Sequence, residues 1–227
     1  MKAEIQVTAD GSQTLFVAEL DEHYHSVKCA LTESKHIFIS TGLNKFISAG
    51  LNKPDSTGLN KLEATDVRVL EVGFGTGLNA ILTLQEAETQ HRHVRYTSLE
   101  KYPLTMSVAE QLDYPKLVDS EYSDYFLDLH RAEWNHWVDV TPYFHLRKVE
   151  TDFTTLHIRE KYDVIYFDAF APEKQEEMWS EEIFRRMYDC LDPNGILVTY
   201  CAKGVVRRTL QSVGFQGRTR QTLWGRS

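Results

Sequence analysis

Residues 67–90 constrain the fold more than any other stretch of this chain. "VRVLEV" (67–72) is an apolar run of strand length, and "LNAILTLQEAETQ" (78–90) aligns Leu78, Ile81, Leu82 and Gln85 at helical spacing. Between them stand Gly73, Gly75 and Gly77, spaced G-x-G-x-G. A strand that enters a helix through such a turn predicts part of a parallel α/β unit. The spacing also bears on the ligand. The dinucleotide fingerprint G-x-G-x-x-G needs a glycine at 78, where this chain has Leu78. A phosphate-cradling P-loop ends in Gly-Lys-Ser/Thr, whereas Leu78 and Asn79 follow Gly77. Both phosphate loops fit poorly.

The alternation continues downstream. Strands are predicted at 94–100, 144–150, 162–170 and 195–202, and helices at 103–112, 176–191 and 203–215. This order implies a mostly parallel, twisted sheet with helices on both faces, and ligands bind beyond the carboxyl ends of its strands. Residues 3–20 predict a β-hairpin around Asp10-Gly11. Residues 40–61 repeat "TGLNK"-like units with Gly42, Gly50 and Gly58 eight apart, which suggests a surface loop lengthened by duplication. The expected division is an extension over 1–65, made of hairpin and loop, and an α/β domain over 66–227. An insertion at about 113–143 holds Tyr122, Tyr125, Phe126, Trp134 and Trp137, which are expected to pack it onto the body.

Net charge is −8, which at first argues against a nucleic-acid partner. Beyond Asp192, however, come Lys203, Arg207, Arg208, Arg218, Arg220 and Arg226 and no carboxylate, so the rest of the chain carries −14. Such a tail is either a solvated basic surface or a phosphate-binding face. Cys29, Cys190 and Cys201 are odd in number and far apart, which suggests reduced thiols and a cytoplasmic protein. The N-terminus lacks the apolar core of a secretory signal, and no apolar run reaches the roughly 18 residues of a membrane span. The histidines, among them His23, His25, His36, His91 and His93, match no ligand spacing, so no metal site is expected.

The expected site lies at the strand ends. Glu71 precedes the first glycine and Glu100 ends the second strand, where a carboxylate can accept both hydroxyls of a ribose. That suits NAD or S-adenosyl-L-methionine equally, and the missing third glycine disfavours the pyrophosphate of NAD. A sulfonium cofactor carries a fixed positive charge, and Glu71, Glu100, Asp152 and Asp168 offer carboxylates for it. Asp152 is placed to accept from an adenine amino group. Asp168, in "FDAFAPEKQEEMW", is placed to face the transferable group, with carbonyls of the stiff Ala-Phe-Ala-Pro run, Pro172 included, lining a narrow slot. Phe170 and Trp179 are either stacking faces for a ring or core aromatics.

"LEVGFGTGLN", "SLEKYPL", "YDVIYFDAFAPEKQEEMW" and "GILVTYCAKGVVRRTLQSVGF", with "GSQTLFVAELDEHYHSVKCALTESKHIFI" upstream, resemble the methyltransferase of the MnmC/MnmD tRNA-modification family over about residues 11–215. The resemblance implies a Rossmann-like class I methyltransferase fold and S-adenosyl-L-methionine as cofactor. The implied reaction is methylation of the aminomethyl nitrogen on a wobble 2-thiouridine, giving 5-methylaminomethyl-2-thiouridine, with the tRNA anticodon loop as partner. The chain resembles the stand-alone form, with a separate flavin-dependent oxidase acting earlier. The implied cofactor site comprises Glu71, Gly73, Phe74, Gly75, Thr76, Gly77, Asn79, Glu100, Lys101, Asp152, Phe153 and Asp168. Asp168 is the expected proton acceptor for the attacking amine. Tyr24, Ser26 and Glu33 line the slot on the family pattern, and Lys203, Arg207 and Arg208 are expected on phosphates. Three departures stand out. The repeated loop is longer, Cys29 replaces a usual glycine, and "GFQGRTRQTLWGRS" lacks the usual Pro-Gly-rich loop and last strand, which predicts a frayed sheet edge. Methylation of a small amine or a protein, and cofactor binding without catalysis, are the competing readings.

Overall fold

The computed structural model describes residues 3–9, 11–24, 30–49, 66–217 and 222–226. Strands β1 (Ala3–Val7), β2 (Gln13–Val17) and β3 (Glu22–His23) form a small antiparallel sheet in that order. The expected hairpin is there. Its turn is closed by Thr8 N donating to Ser12 O at 2.7 Å, while Asp10 lies outside the described residues. Alternation buries Leu15 and Val17 and leads the chain to Tyr24, whose N–H donates to Leu15 O at 2.9 Å.

Residues 30–48 are helical. Helix α1 (Ala30–Ser34) runs into a π-helical stretch, Lys35–Leu43, and then into α2 (Asn44–Ser48). This corrects the reading of 40 onward as a surface loop, as far as residue 48. Phe38, Leu43 and Phe46 are buried, and such side chains stabilise a fold by about 1.5–3 kcal/mol each, which outweighs local loop propensity. Gly42 lets the helix approach the sheet, since a Cβ there would stand 3.2 Å from Val198 Cγ2. The later repeat units, from 50 on, lie outside the described residues.

The main sheet contains β4 (Val67–Val72), β5 (Val94–Glu100), β6 (Trp137–Thr141), β7 (Phe144–Glu150), β8 (Tyr162–Phe167), β9 (Leu191–Thr199), β10 (Gln216–Gly217) and β11 (Leu223–Gly225). Their order is β10-β11-β9-β8-β4-β5-β7-β6. The five central strands are parallel, and β6, β10 and β11 are antiparallel additions at the two edges. Period-two alternation splits the core. Val67, Val69, Val164 and Tyr166 face one layer, and Leu70, Val72, Ile165 and Phe167 the other. The first layer holds 30–48, α3 (Leu78–Gln90), α4 (Met106–Ala109) and α5 (Tyr125–Arg131). The second holds α6 (Glu181–Cys190) and α7 (Gly204–Ser212).

Three boundaries differ from expectation. Residues 137–141, read as part of an insertion, form the edge strand β6. Their accessibility alternates, and Pro142-Tyr143 turns the chain back into β7. Phe126 packs the rest of that segment into the core, whereas Trp137 remains 38% exposed. The helix expected over 176–191 is broken at Ser180, after a 3-10 turn (Glu176–Trp179), and Ser180 caps α6 by accepting from Ile183 N. The sheet edge is not frayed, because Leu223 and Trp224 pair with Val198 and Leu197 of β9 and are each 1% exposed. Among the described residues no helix is long and apolar enough to cross a membrane.

Candidate active site

The chain runs from β4 to β5 and β7 on one side and places β8 and β9 on the other, so the switch in strand order lies between β4 and β8. Asp168 N donates to Val72 O at 3.1 Å and ties these two strand ends together. A cavity of about 290 Å³ opens there, as the topology requires. Gly73, Phe74 and Gly75 line it from the turn, Glu100 and Lys101 from the end of β5, and Asp152 and Phe153 from the loop after β7. Asp168 and Phe170 line it from the loop after β8, and Tyr24 covers it from the N-terminal segment.

The turn is built to admit something. Gly75 has φ +51, and a Cβ on it would stand 2.7 Å from the Tyr24 ring. Its N–H donates to Glu100 Oε2 at 3.0 Å, and Tyr102 N donates to Glu100 Oε1 at 2.7 Å. Each carboxylate oxygen keeps a further lone pair for a ligand hydroxyl. Asp152 is more committed. Thr154 donates to it through N at 2.9 Å and Oγ1 at 2.6 Å, and Lys101 Nζ pairs with it at 2.7 Å, which holds its carboxyl down to about 2. These features fit S-adenosyl-L-methionine, with carboxylates around a cationic ligand and no phosphate loop.

A second cavity of about 280 Å³ shares Tyr24, Asp168, Ala169 and Phe170 with the first. Its other walls include Glu22, Glu33, Phe38 and Tyr200. Tyr24 and Phe170 meet edge to face, with ring centroids 5.0 Å apart. Asp168 accepts from Asn79 Nδ2 at 2.8 Å, and burial, reinforced by the charge of Glu33, pushes its carboxyl up to about 7. Burial also raises Glu33. Three carboxylates around one acceptor-sized cavity attract a cation and can hold its proton.

Several expected residues stand elsewhere. Glu71 is fully buried on the α3 side of the sheet and lines neither cavity, because it stands within β4, behind Asp168, rather than beyond the strand end. Thr76, Gly77 and Asn79 lie behind the turn, where His130 Nε2 contacts Thr76 O at 3.1 Å. Trp179 is not an open stacking face. It is 6% exposed, it packs among Phe167, Phe184 and Tyr200, and its Nε1 donates to Phe170 O at 2.8 Å. Pro172 lines neither cavity. The slot carbonyls are also engaged, since Tyr200 Oη donates to Ala169 O at 3.0 Å. Lys203 pairs with Glu173, Arg208 is exposed and Arg207 is partly buried. Ser26 and Cys29 lie outside the described residues, while Cys190 and Cys201 are buried free thiols.

Sequence reasoning missed Glu22, Phe38 and Tyr200 in the second cavity and Gln175 and Met178 in the first. Tyr200 directly follows the fifth parallel strand, so the strand-end rule could have found it. Glu22 and Phe38 carry no such signal, because long-range packing brings them in.

An S-adenosyl-L-methionine-dependent methyltransferase family matches residues 116–226. The MnmC2 structure from Aquifex aeolicus superposes with a TM-score of 0.72 and 25% identity, covering 99% of this chain and 69% of that one. A spermidine synthase from Thermotoga maritima (TM-score 0.52, 13% identity) shares the fold. By fold, the chain is similar to S-adenosyl-L-methionine-dependent methyltransferases. Within that class its similarity is to the MnmC methyltransferase domain. The tRNA 5-methylaminomethyl-2-thiouridine biosynthesis bifunctional protein MnmC of Cupriavidus metallidurans is 28% identical over 94% of this chain, and that of Marinomonas sp. is 29% identical over 88%. The chain spans about a third of these relatives' lengths, 31% and 29% respectively.

Proposed function

We propose that this chain methylates the aminomethyl nitrogen on a wobble 2-thiouridine of tRNA, giving 5-methylaminomethyl-2-thiouridine. The observation that carries the reading is the meeting of two cavities at Asp168, one suited to the cofactor and one acidic. When bound, S-adenosyl-L-methionine supplies an electrophilic methyl group. The remaining task is alignment and proton management.

An alkylamine arrives as an ammonium ion at neutral pH and must lose a proton before it can attack. Glu22, Glu33 and Asp168 draw the cation into the second cavity. Asp168, poised at about 7, takes its proton. Phe170, on the wall common to both cavities, offers a ring to a base displaced from the anticodon loop. Lys203, Arg207 and Arg208 contact tRNA phosphates, and Lys203 exchanges its Glu173 partner to do so. The substrate would come from a separate flavin-dependent oxidase, and the reaction would take place in the cytoplasm.

Methyl transfer from labelled S-adenosyl-L-methionine to tRNA from cells arrested at the aminomethyl stage tests this reading. Label in that tRNA, and none in fully modified tRNA, is expected. Equal labelling of both, or transfer only to free small amines, would overturn it.

A further inference from the structure

Behind Asp168 lies a cluster of buried polar groups with too few hydrogens. Asn79 spends its Nδ2 on Asp168, and Ser98 Oγ donates to Glu71 Oε2 at 2.6 Å. Glu71 Oε1, Asn79 Oδ1 and the Tyr96 hydroxyl are buried and have no hydrogen-bond partner among the described residues. Their side chains are at most 2% exposed. Tyr96 and Asn79 both stand close enough to Glu71 to act on its charge.

Counting protons decides the state. With Glu71 ionised, the Tyr96 hydroxyl supplies one hydrogen to two acceptors, Glu71 Oε1 and Asn79 Oδ1. One buried oxygen then stays unpaired, which native proteins avoid. A proton on Glu71 lets the set close by small rotations, with Tyr96 donating to Glu71 and Glu71 donating to Asn79 Oδ1.

We propose that Glu71 is protonated in the resting protein and that the Asn79 amide, presenting oxygen to Glu71 and NH₂ to Asp168, keeps the proton on Glu71 and leaves Asp168 ionised. One amide thus imposes opposite states on two carboxyls. Glu71 and Asn79 are positioning residues for Asp168. Glu71 is faced by Asn79 from α3, Tyr96 and Ser98 from β5, Tyr166 from β8, and Asp168. Asp168 is faced in addition by Glu33 and Tyr200. Burial, and then the charge of Asp168, push Glu71 up to about 8, above the value for Asp168 itself, in keeping with this order of ionisation. The inference rests on Asp168 being the ionised acceptor of the proposed reaction.

Infrared spectroscopy slightly above neutral pH tests it without any transfer assay, so failure of the proposed acceptor is distinguishable from failure here. The expected spectrum has a carbonyl band of an un-ionised glutamic acid, beside whatever band the remaining protonated Asp168 gives. Isotope-labelled glutamate should shift the glutamic acid band in the wild-type protein, with no substitution needed. It should vanish in Glu71→Gln and persist in Asp168→Asn and Glu33→Gln. Absence of the band, as for an ionised Glu71 paired through water, would overturn the proposal. So would a spectrum in which every such band ignores the glutamate label or is lost in Asp168→Asn alone.

Discussion

The N–H of Gly75 donates to Glu100 Oε2 at 3.0 Å, so the carboxylate that ends β5 holds the turn that follows β4. The same carboxylate lines the cavity and is the proposed acceptor for a ribose there. Removing it in Glu100→Ala loosens the turn and removes ligand hydrogen bonds together. Hydrogen bonds to charged groups contribute about 1.5–3 kcal/mol each, so cofactor affinity should fall about ten- to hundredfold. Titration calorimetry with S-adenosyl-L-methionine reads this directly, and a loss under about twofold would remove Glu100 from the site.

Gly75→Ala should act by strain. A side chain at φ +51 costs about 1–2 kcal/mol, and its Cβ would also displace the Tyr24 ring over the cavity. Gly11→Ala is the control, because Gly11 also has positive φ (+83) but nothing within 4 Å of a Cβ. Both variants should melt lower, and only Gly75→Ala should lose cofactor affinity. Equal affinity in the two would mean that Tyr24 does not close the cavity.

Activity should depend on pH through Asp168. Its carboxyl stands at about 7, so turnover should rise as pH passes that value, with the proton acceptor becoming available. Stability should run the other way. The folded protein holds this proton up to about 7, whereas an unfolded aspartate releases it near pH 4 (~3.9). The stabilisation is therefore full below about pH 4 and lost as pH rises through about 7. Asp168→Asn should melt several degrees above the wild type at pH 8 and converge with it near pH 4, as thermal melts across that range will read.

Lys203→Ala with Arg208→Ala should weaken tRNA binding and flatten its salt dependence, by about one unit of log–log slope for each phosphate left without its cation. Cofactor affinity should hold, since neither residue lines the cofactor cavity. An unchanged salt slope would return the basic tail to ordinary solvated surface.

Much of this was legible because it rests on local patterns. The G-x-G-x-G turn predicted where a cavity opens, and strand–helix alternation predicted the sheet that presents it. Glu100, Asp152 and Asp168 line the cavity that the strand-end rule predicts. What stayed hidden depends on how far along a strand a residue stands or on distant packing. Glu71 and Asp168 share a face of the sheet near strand ends, yet Glu71 stands within β4 and is fully buried, whereas Asp168 stands beyond the last residue of β8 and lines both cavities. Trp179 is a core residue because Phe167 and Phe184 enclose it. The π-helical stretch over 35–43 has no spacing that propensity would recognise, and it is tertiary burial of Phe38 and Leu43 that holds it.

The most direct measurement is the nucleoside composition of aminomethyl-stage tRNA after incubation with the protein and S-adenosyl-L-methionine, read by mass spectrometry. The expected result is conversion of 5-aminomethyl-2-thiouridine to its methylamino form by the wild type and a loss of at least about a hundredfold in rate for Asp168→Asn. An unchanged nucleoside, in the presence of protein that binds the cofactor, would contradict the proposed reaction.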